Sequence, residues 1–403
     1  MERPKISKKE FEDRISTIQK WMVKHDMAVM LIYGDEYRKE NLRYVSNYWP
    51  MFERSALIVG RASTPILLCA PEGEQVAHEM SVWPDIRLVP DFLCATVPDK
   101  IDYPLATYTD FPSLVEELQE KEGDVNRLGL VGIDAMSQPL YTTIQSAFPS
   151  EIVDCNHLLQ TMRRTKSSME IACLAEANRI ADAAFKVFME SDLIGMTELQ
   201  AAGVIEGAAR FEGAEHVIFT VLGSGERTHT IIGRPTDKII EDGDMIMCAL
   251  AIQYEGYVAT CEVPFAVGKM SKDTQHVIDV LIGASAAGKP YLKAGIPMKE
   301  FVKAVKEHYK QAGLSKYDVY PPLHGIGCAE AESPYPHEGT EEPFTVGTTV
   351  NTDISLFGLP GGSNRIEEGF VITADGADSL SPFVRSYCEN WMNRMHKEDS
   401  SDE

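Results

Sequence analysis

The chain has 403 residues, 44% apolar and 25% charged, which describes a globular protein too long for one small core. Its 61 acidic residues against 38 basic ones give a net charge of −23, a surface that repels phosphate backbones and anionic membranes and so argues against nucleic-acid or membrane partners. The eight cysteines form no CxxC pair, no stretch reaches the ~20 apolar residues of a membrane helix, and the charged N-terminus lacks an apolar signal region, so a cytoplasmic protein with reduced thiols is expected.

From the N-terminus, "SKKEFEDRISTIQKWMVKHDM" sets Phe11, Ile15, Ile18, Trp21 and Met22 at helical spacing. "AVMLIYG", "SALIVG" and "STPILLCAP" read as short buried strands, "RLGLVGID" as another, "QPLYTTIQSAF" as a helix and "EIVDC" as a strand. That alternation predicts an α/β domain over residues 1–160. At Arg163 the texture changes. A long helix follows with Ser167 or Ser168 as its N-cap, then a second from Thr197 to near Gly213. Strands come next in "HVIFTVLGSG", "DMIMCALAI" and "YEGYVATCEVPFAVG", then two helices, then the strands "TTVNTDISLFG" and "GFVITADGADSLS". This predicts an α+β domain over 161–395 and a disordered acidic tail over 396–403.

Four segments of the second half carry a family resemblance in order: "RTKSSMEIACLAEANRIADAAF", "EDGDMIMCALAIQYEGY", "PPLHGIGCAEAESP" and "GGSNRIEEGFVITADGA". Together they resemble the methionine aminopeptidase, prolidase and creatinase family. The expected fold is an α/β N-terminal domain followed by an α+β pita-bread catalytic domain. In the family's metallopeptidases the resemblance implies two metal ions on two Asp, one His and two acidic residues. Carried onto this chain, those positions hold Ala249, Thr260, His324, Asp353 and Glu367, and the place of a second catalytic His holds Ala331. Alanine and threonine cannot neutralise a divalent ion as carboxylates do, so no metal and no cofactor are expected.

The metal-independent member, creatinase, is similar at further points. Glu262 follows Thr260 by two residues in "GYVATCEVPF", and by strand alternation shares its face. "WPMFERSALIVG" resembles a creatinase segment that reaches over a neighbouring subunit's pocket, which implies a homodimer with Phe52 and Arg54 as the lid. His229 in "LGSGERTHTIIGRP" is the implied catalytic histidine, although only three residues, Glu226 to Thr228, separate it from Ser-Gly where creatinase has six. A neutral imidazole can move a proton near pH 7, and two metal-free carboxylates call for a cationic substrate group. The leading expectation is therefore a metal-independent hydrolase cleaving a C–N bond of a small zwitterionic guanidino or amidine compound, creatine- or ectoine-like. His229, Glu262 and Glu367 would be catalytic, with Phe52, Arg54, Thr260, His324 and Asp353 binding substrate. Two alternatives are an Xaa-Pro peptidase with one metal on His324, Asp353 and Glu367, and a pita-bread binding protein without catalysis.

Overall fold

The computed structural model describes residues 3–93, 105–148 and 151–399. The chain divides into two compact units, Ile6–Met162 and Arg163–Glu403 together with Met1–Lys5.

In the N-terminal unit, β1 (Val29–Asp35), β2 (Arg54–Gly60), β3 (Ile66–Cys69), β4 (Asp85–Leu88), β5 (Arg127–Val131) and β6 (Glu151–Asp154) form one mixed sheet in the order β4-β3-β2-β1-β5-β6. The apolar runs of β1 and β2 are buried almost throughout, as strands covered on both faces must be. The helix Lys8–Lys24 buries Phe11, Ile15, Ile18 and Met22 along one stripe. Trp21 lies off that stripe, half-buried and stacked on His25 with ring centroids 3.9 Å apart.

Glu53, at the entry to β2, is 3% exposed and accepts a hydrogen bond from Gly73 N–H at 3.1 Å. Burial, then the charge of Glu72, pushes its carboxyl up to about 7. A carboxyl raised on folding contributes stability that is present below its ordinary range, about 4.3, and is lost as pH rises through about 7. Glu53→Gln is therefore expected to stabilise the protein at pH 8 by about 1–3 kcal/mol. The difference should vanish below pH 5; thermal denaturation across that range checks it, and equal melting temperatures at pH 8 would contradict it.

The second unit opens on two capped helices. Ser167 accepts from Glu170 N–H while the Glu170 carboxylate reaches back to Ser167 N–H, starting the helix Ser168–Glu190. Thr197 and Gln200 do the same for Glu198–Glu212, which ends at Gly213 with φ 106°. Two four-stranded sheets follow. One holds β7 (His216–Ser224), β8 (Met245–Tyr254), β9 (Tyr257–Cys261) and β10 (Phe265–Ala266), in the order β10-β8-β7 with β9 also paired to β8. The other runs β11 (Leu323–Gly325), β12 (Thr349–Leu356), β13 (Asn364–Ile372), β14 (Ala377–Ser379) in sequence order.

The β8–β9 hairpin turns on Glu255 and Gly256, both with positive φ, 49° and 82°, as a two-residue hairpin turn requires. Just beyond β9, Glu262 exchanges backbone hydrogen bonds with Glu367 of β13, at 3.4 and 3.0 Å, and so stitches the two sheets together. The chain end departs from expectation. Residues Pro382–Asp399 form a helix, so 396–399 continue it rather than starting a tail, while 400–403 lie outside the described residues. Asp182 receives Ser381 Oγ–H and Phe383 N–H at its start, and Trp391 Nε1–H donates to Asp279 at 2.7 Å.

Candidate active site

Strand register decides which side chains converge. Asp353 of β12 sits opposite Glu367 of β13, and Arg365 lies two residues before Glu367 on the same face. The Glu262–Glu367 bridge brings Glu262 to the same place. All four side chains are at most 5% exposed. The Arg365 guanidinium sits among the three carboxylates: Nε is 2.8 Å from Glu262 Oε2, and Nη1 is 3.5 Å from Asp353 Oδ2 and 3.6 Å from Glu367 Oε1. Its Nη2 donates to Ile231 O at 2.6 Å, and Asn351 Nδ2 donates to Glu367 Oε2 at 2.7 Å.

One guanidinium does not satisfy this cluster. Among the described residues, both carboxylate oxygens of Glu262, Asp353 Oδ1 and Arg365 Nε have no hydrogen-bond partner. Burial pushes Glu262 up to about 8 and Asp353 up to about 6, although Arg365 pulls both down. Glu367 is raised well above the carboxylate range, by burial and then by the charge of Asp353. The cluster is short of positive charge.

His324 of β11 supplies the other half of the site. Its Nδ1 lies 2.9 Å from Gly325 O, and because a carbonyl only accepts, Nδ1 carries the proton. A neutral ring with its proton on Nδ1 presents a lone pair at Nε2, and Nε2 faces Glu330 Oε1 at 3.7 Å. Two acceptors that face each other are reconciled by a proton or by a metal cation between them. His324, Glu330 and Glu367 offer ligand atoms all within 4.8 Å of one another, with Asp353 alongside. An imidazole nitrogen with carboxylate oxygens is a donor set for one divalent ion. It does not extend to two. Ala249 packs with Val221, Met247 and Phe357 instead of facing an ion, and Thr260 offers a hydroxyl that donates to Glu330 at 3.4 Å.

The loop carrying Glu330 is held from beneath. Glu332 is buried between Lys166 Nζ at 2.6 Å and Arg163 Nε at 3.2 Å, and its N–H donates to Gly325 O at 2.9 Å. Beside His324 opens a cavity of about 650 Å³ walled by Val302, Val319, Tyr320, Pro322, Tyr335 and Pro336.

The remaining expected residues are placed as follows. His229 is exposed on the short helical turn Gly225–His229, with Nδ1 2.7 Å from Ser363 Oγ. Phe52 and Arg54 line a separate cavity of about 240 Å³ within the N-terminal unit; Phe52 is 68% exposed at φ 64°, and Arg54 Nη1 donates to Leu93 O at 3.2 Å. Cys248 and Cys261 are buried and their thiols are pushed well up by burial, so neither is activated. Glu330 and Arg365 were not among the expected residues. Arg365 could have been found from its spacing to Glu367 on one strand face. Glu330 lies in a loop, where no periodicity marks it.

Residues 172–374 match Metallopeptidase family M24, and residues 14–165 match the Creatinase/Prolidase N-terminal domain. An uncharacterized peptidase of Bacillus subtilis, YqhT, is 29% identical over 64% of this chain and 73% of its own length. An Xaa-Pro dipeptidase of Pyrococcus horikoshii is 24% identical over 93% of this chain and 98% of its own. Among solved structures, an X-Pro aminopeptidase from Thermotoga maritima superposes with a TM-score of 0.79 at 22% identity, covering 91% of this chain and 97% of that one. The prolidase from Pyrococcus horikoshii gives 0.77 at 21%, covering 92% and 98%.

These relatives correct the expectation of a metal-independent, creatinase-like hydrolase of non-peptide C–N bonds: they are named as peptidases, several of them Xaa-Pro peptidases. The geometry supplies the physical reason. Glu262 and Glu367, expected to orient a substrate guanidinium, already face one that belongs to the chain, Arg365. The two domain matches, in the order found and over both compact units, show that the chain belongs to Metallopeptidase family M24 and carries the Creatinase/Prolidase N-terminal domain ahead of its pita-bread domain.

Proposed function

We propose that this chain is a peptidase of the Xaa-Pro type working with a single divalent ion held by His324, Glu330 and Glu367, with Asp353 as a further oxygen donor. The observation that carries the proposal is the His324 Nε2 lone pair facing the Glu330 carboxylate at 3.7 Å, a juxtaposition that a cation resolves. A divalent ion bound there supplies polarisation of a substrate carbonyl and acidification of water. The chain's own groups do the rest. The cavity beside His324, walled by Tyr320, Tyr335 and prolines, suits an apolar residue such as proline next to the scissile bond. Glu330, about a quarter exposed, is positioned by Thr260 Oγ–H to take a proton at the cavity edge.

His229 is assigned the role of proton donor at the rim. The loop that carries it is tied to the site by Ile231 O on Arg365 and by His229 on Ser363. Ser363 Oγ accepts Gly358 N–H at 2.8 Å, and among the described residues its own proton has one acceptor, His229 Nδ1. The neutral ring then keeps its proton on Nε2, free to reach a carbonyl oxygen or a departing nitrogen. Ser363→Ala is expected to lower kcat by about 10-fold, within the range of assisted proton transfer, with KM little changed. It should also move the ¹⁵N shifts of the His229 ring towards a mixture of tautomers; unchanged shifts would remove Ser363 from this role.

Phe52, an exposed aromatic at positive φ, and Arg54 are assigned to a homodimer in which each reaches the partner's site. A monomer in sedimentation velocity at micromolar concentration would contradict this. The activity itself is tested by proline release from Xaa-Pro dipeptides with and without EDTA after loading with Mn²⁺, Co²⁺ or Zn²⁺. Metal-dependent release is expected. A second function, peptide binding without cleavage, is favoured by the apolar packing of Ala249. It takes over if the loaded protein binds Xaa-Pro peptides but leaves them intact.

A further inference from the structure

The site has two compartments for positive charge that share Glu367. One, at His324, Glu330 and Glu367, is the place assigned above to a divalent ion. The other lies between Glu262, Asp353 and Glu367, and a side chain already fills it. Arg365 is 4% exposed, so its charge has no access to bulk water. Its Nη2 donates to Ile231 O at 2.6 Å, while Nε lies 2.8 Å from Glu262 Oε2 as an ion pair in which neither atom makes a hydrogen bond among the described residues. Nη1 lies between Asp353 and Glu367, at 3.5 and 3.6 Å, distances of loose ion pairs. Glu262 Oε1 and Asp353 Oδ1 point into this compartment without a donor of their own among the described residues. Three buried carboxylates with free lone pairs around one fixed cation have the chemistry of a metal site whose cation is covalently attached.

We propose that Arg365 is a built-in cation that occupies a latent divalent-ion site made by Glu262, Asp353 and Glu367, and that it thereby sets the number of ions the chain can bind. Without the guanidinium, those carboxylates would face one another across a buried space that a divalent ion, a hard oxygen-seeking cation, would enter. Lysine in its place would keep the charge and keep the ion out. Among the described residues Glu262 has no other cation partner, so the second ion would depend on it.

The test is the Mn²⁺ content of wild type, Arg365→Met, Arg365→Lys and the double variant Arg365→Met/Glu262→Gln, each dialysed to equilibrium and analysed by elemental analysis. Arg365→Met is expected to hold one more Mn²⁺ per chain than wild type, Arg365→Lys the same number as wild type, and the double variant to lose the extra ion. A folded Arg365→Met with the wild-type count overturns the proposal. If Arg365→Met folds only with metal, its melting temperature should rise with Mn²⁺ more than that of wild type. The absence of that excess rise overturns the proposal as well. The inference builds on the single-ion site but fails separately from it. No ion in wild type and one in Arg365→Met removes the former and keeps this one; one ion in both does the reverse.

Discussion

Replacing His324 by alanine is expected to strip the divalent ion from the protein and to abolish metal-dependent dipeptide hydrolysis. The imidazole is the one nitrogen donor in the set, and its loss would leave carboxylate oxygens alone, those of Glu330 on a partly exposed loop and of Glu367 and Asp353 on buried strands. Loss of outer partners of metal ligands costs about 10–100-fold in affinity, so removal of a ligand itself should cost at least about 100-fold. The fold should survive. Among the described residues His324 makes one side-chain hydrogen bond, to the carbonyl of the next residue, and its neighbours Leu323 and Ile326 keep the core packed. Glu330→Gln should lose the ion too, since the amide keeps the shape and the hydrogen bond from Thr260 but not the charge. Mn²⁺ titration of both variants checks this. An affinity unchanged in His324→Ala would move the ion elsewhere.

The second large effect is structural. Glu332→Ala is expected to destabilise the protein by about 3–5 kcal/mol, the cost of removing one member of a buried ion pair and leaving the other charge behind. Here two charges stay behind: Lys166 and Arg163, with side chains 1% and 6% exposed, both face Glu332. Their charges hold the Glu332 carboxyl below its usual range even though burial opposes this. The same substitution frees the loop of Glu330, because Glu332 also accepts from Ala329 N–H at 3.4 Å. Urea denaturation and Mn²⁺ affinity should therefore fall together in Glu332→Ala. In Glu330→Gln, only the affinity should fall. A Glu332→Ala protein as stable as wild type would show that the triad is relaxed by water.

Much of the fold was legible because it rests on local signals. The capping pairs Ser167–Glu170 and Thr197–Gln200 mark their helices by residue type and spacing, and the apolar runs of β1 and β2 mark buried strands. The final helix was hidden by its composition. Phe383, Val384, Tyr387, Cys388, Trp391 and Met395 do recur at helical spacing, but charges between them resemble a solvated tail. The site divided along similar lines. Glu262, Asp353 and Glu367 converge as the sequence suggested, since each lies on or beside a strand whose face is set by alternation. What sequence could not reveal was occupancy. That Arg365 turns into the cluster, rather than outwards, depends on the pairing of Glu262 with Glu367 across two sheets, 105 residues apart in the chain. Without it the carboxylates appeared to await a cationic substrate. Glu330 faces His324 from a loop anchored two residues on, where Glu332 pairs with Lys166 and Arg163.

The central claim is a single-ion site in the pita-bread unit. Its most direct measurement is the metal content of the protein, purified without an affinity tag and dialysed against Mn²⁺, Co²⁺ or Zn²⁺, by elemental analysis against protein concentration. One tightly held ion per chain is expected, and His324→Ala should remove it. No ion with any of the three metals, in protein shown to be folded, would contradict the claim, and so would two.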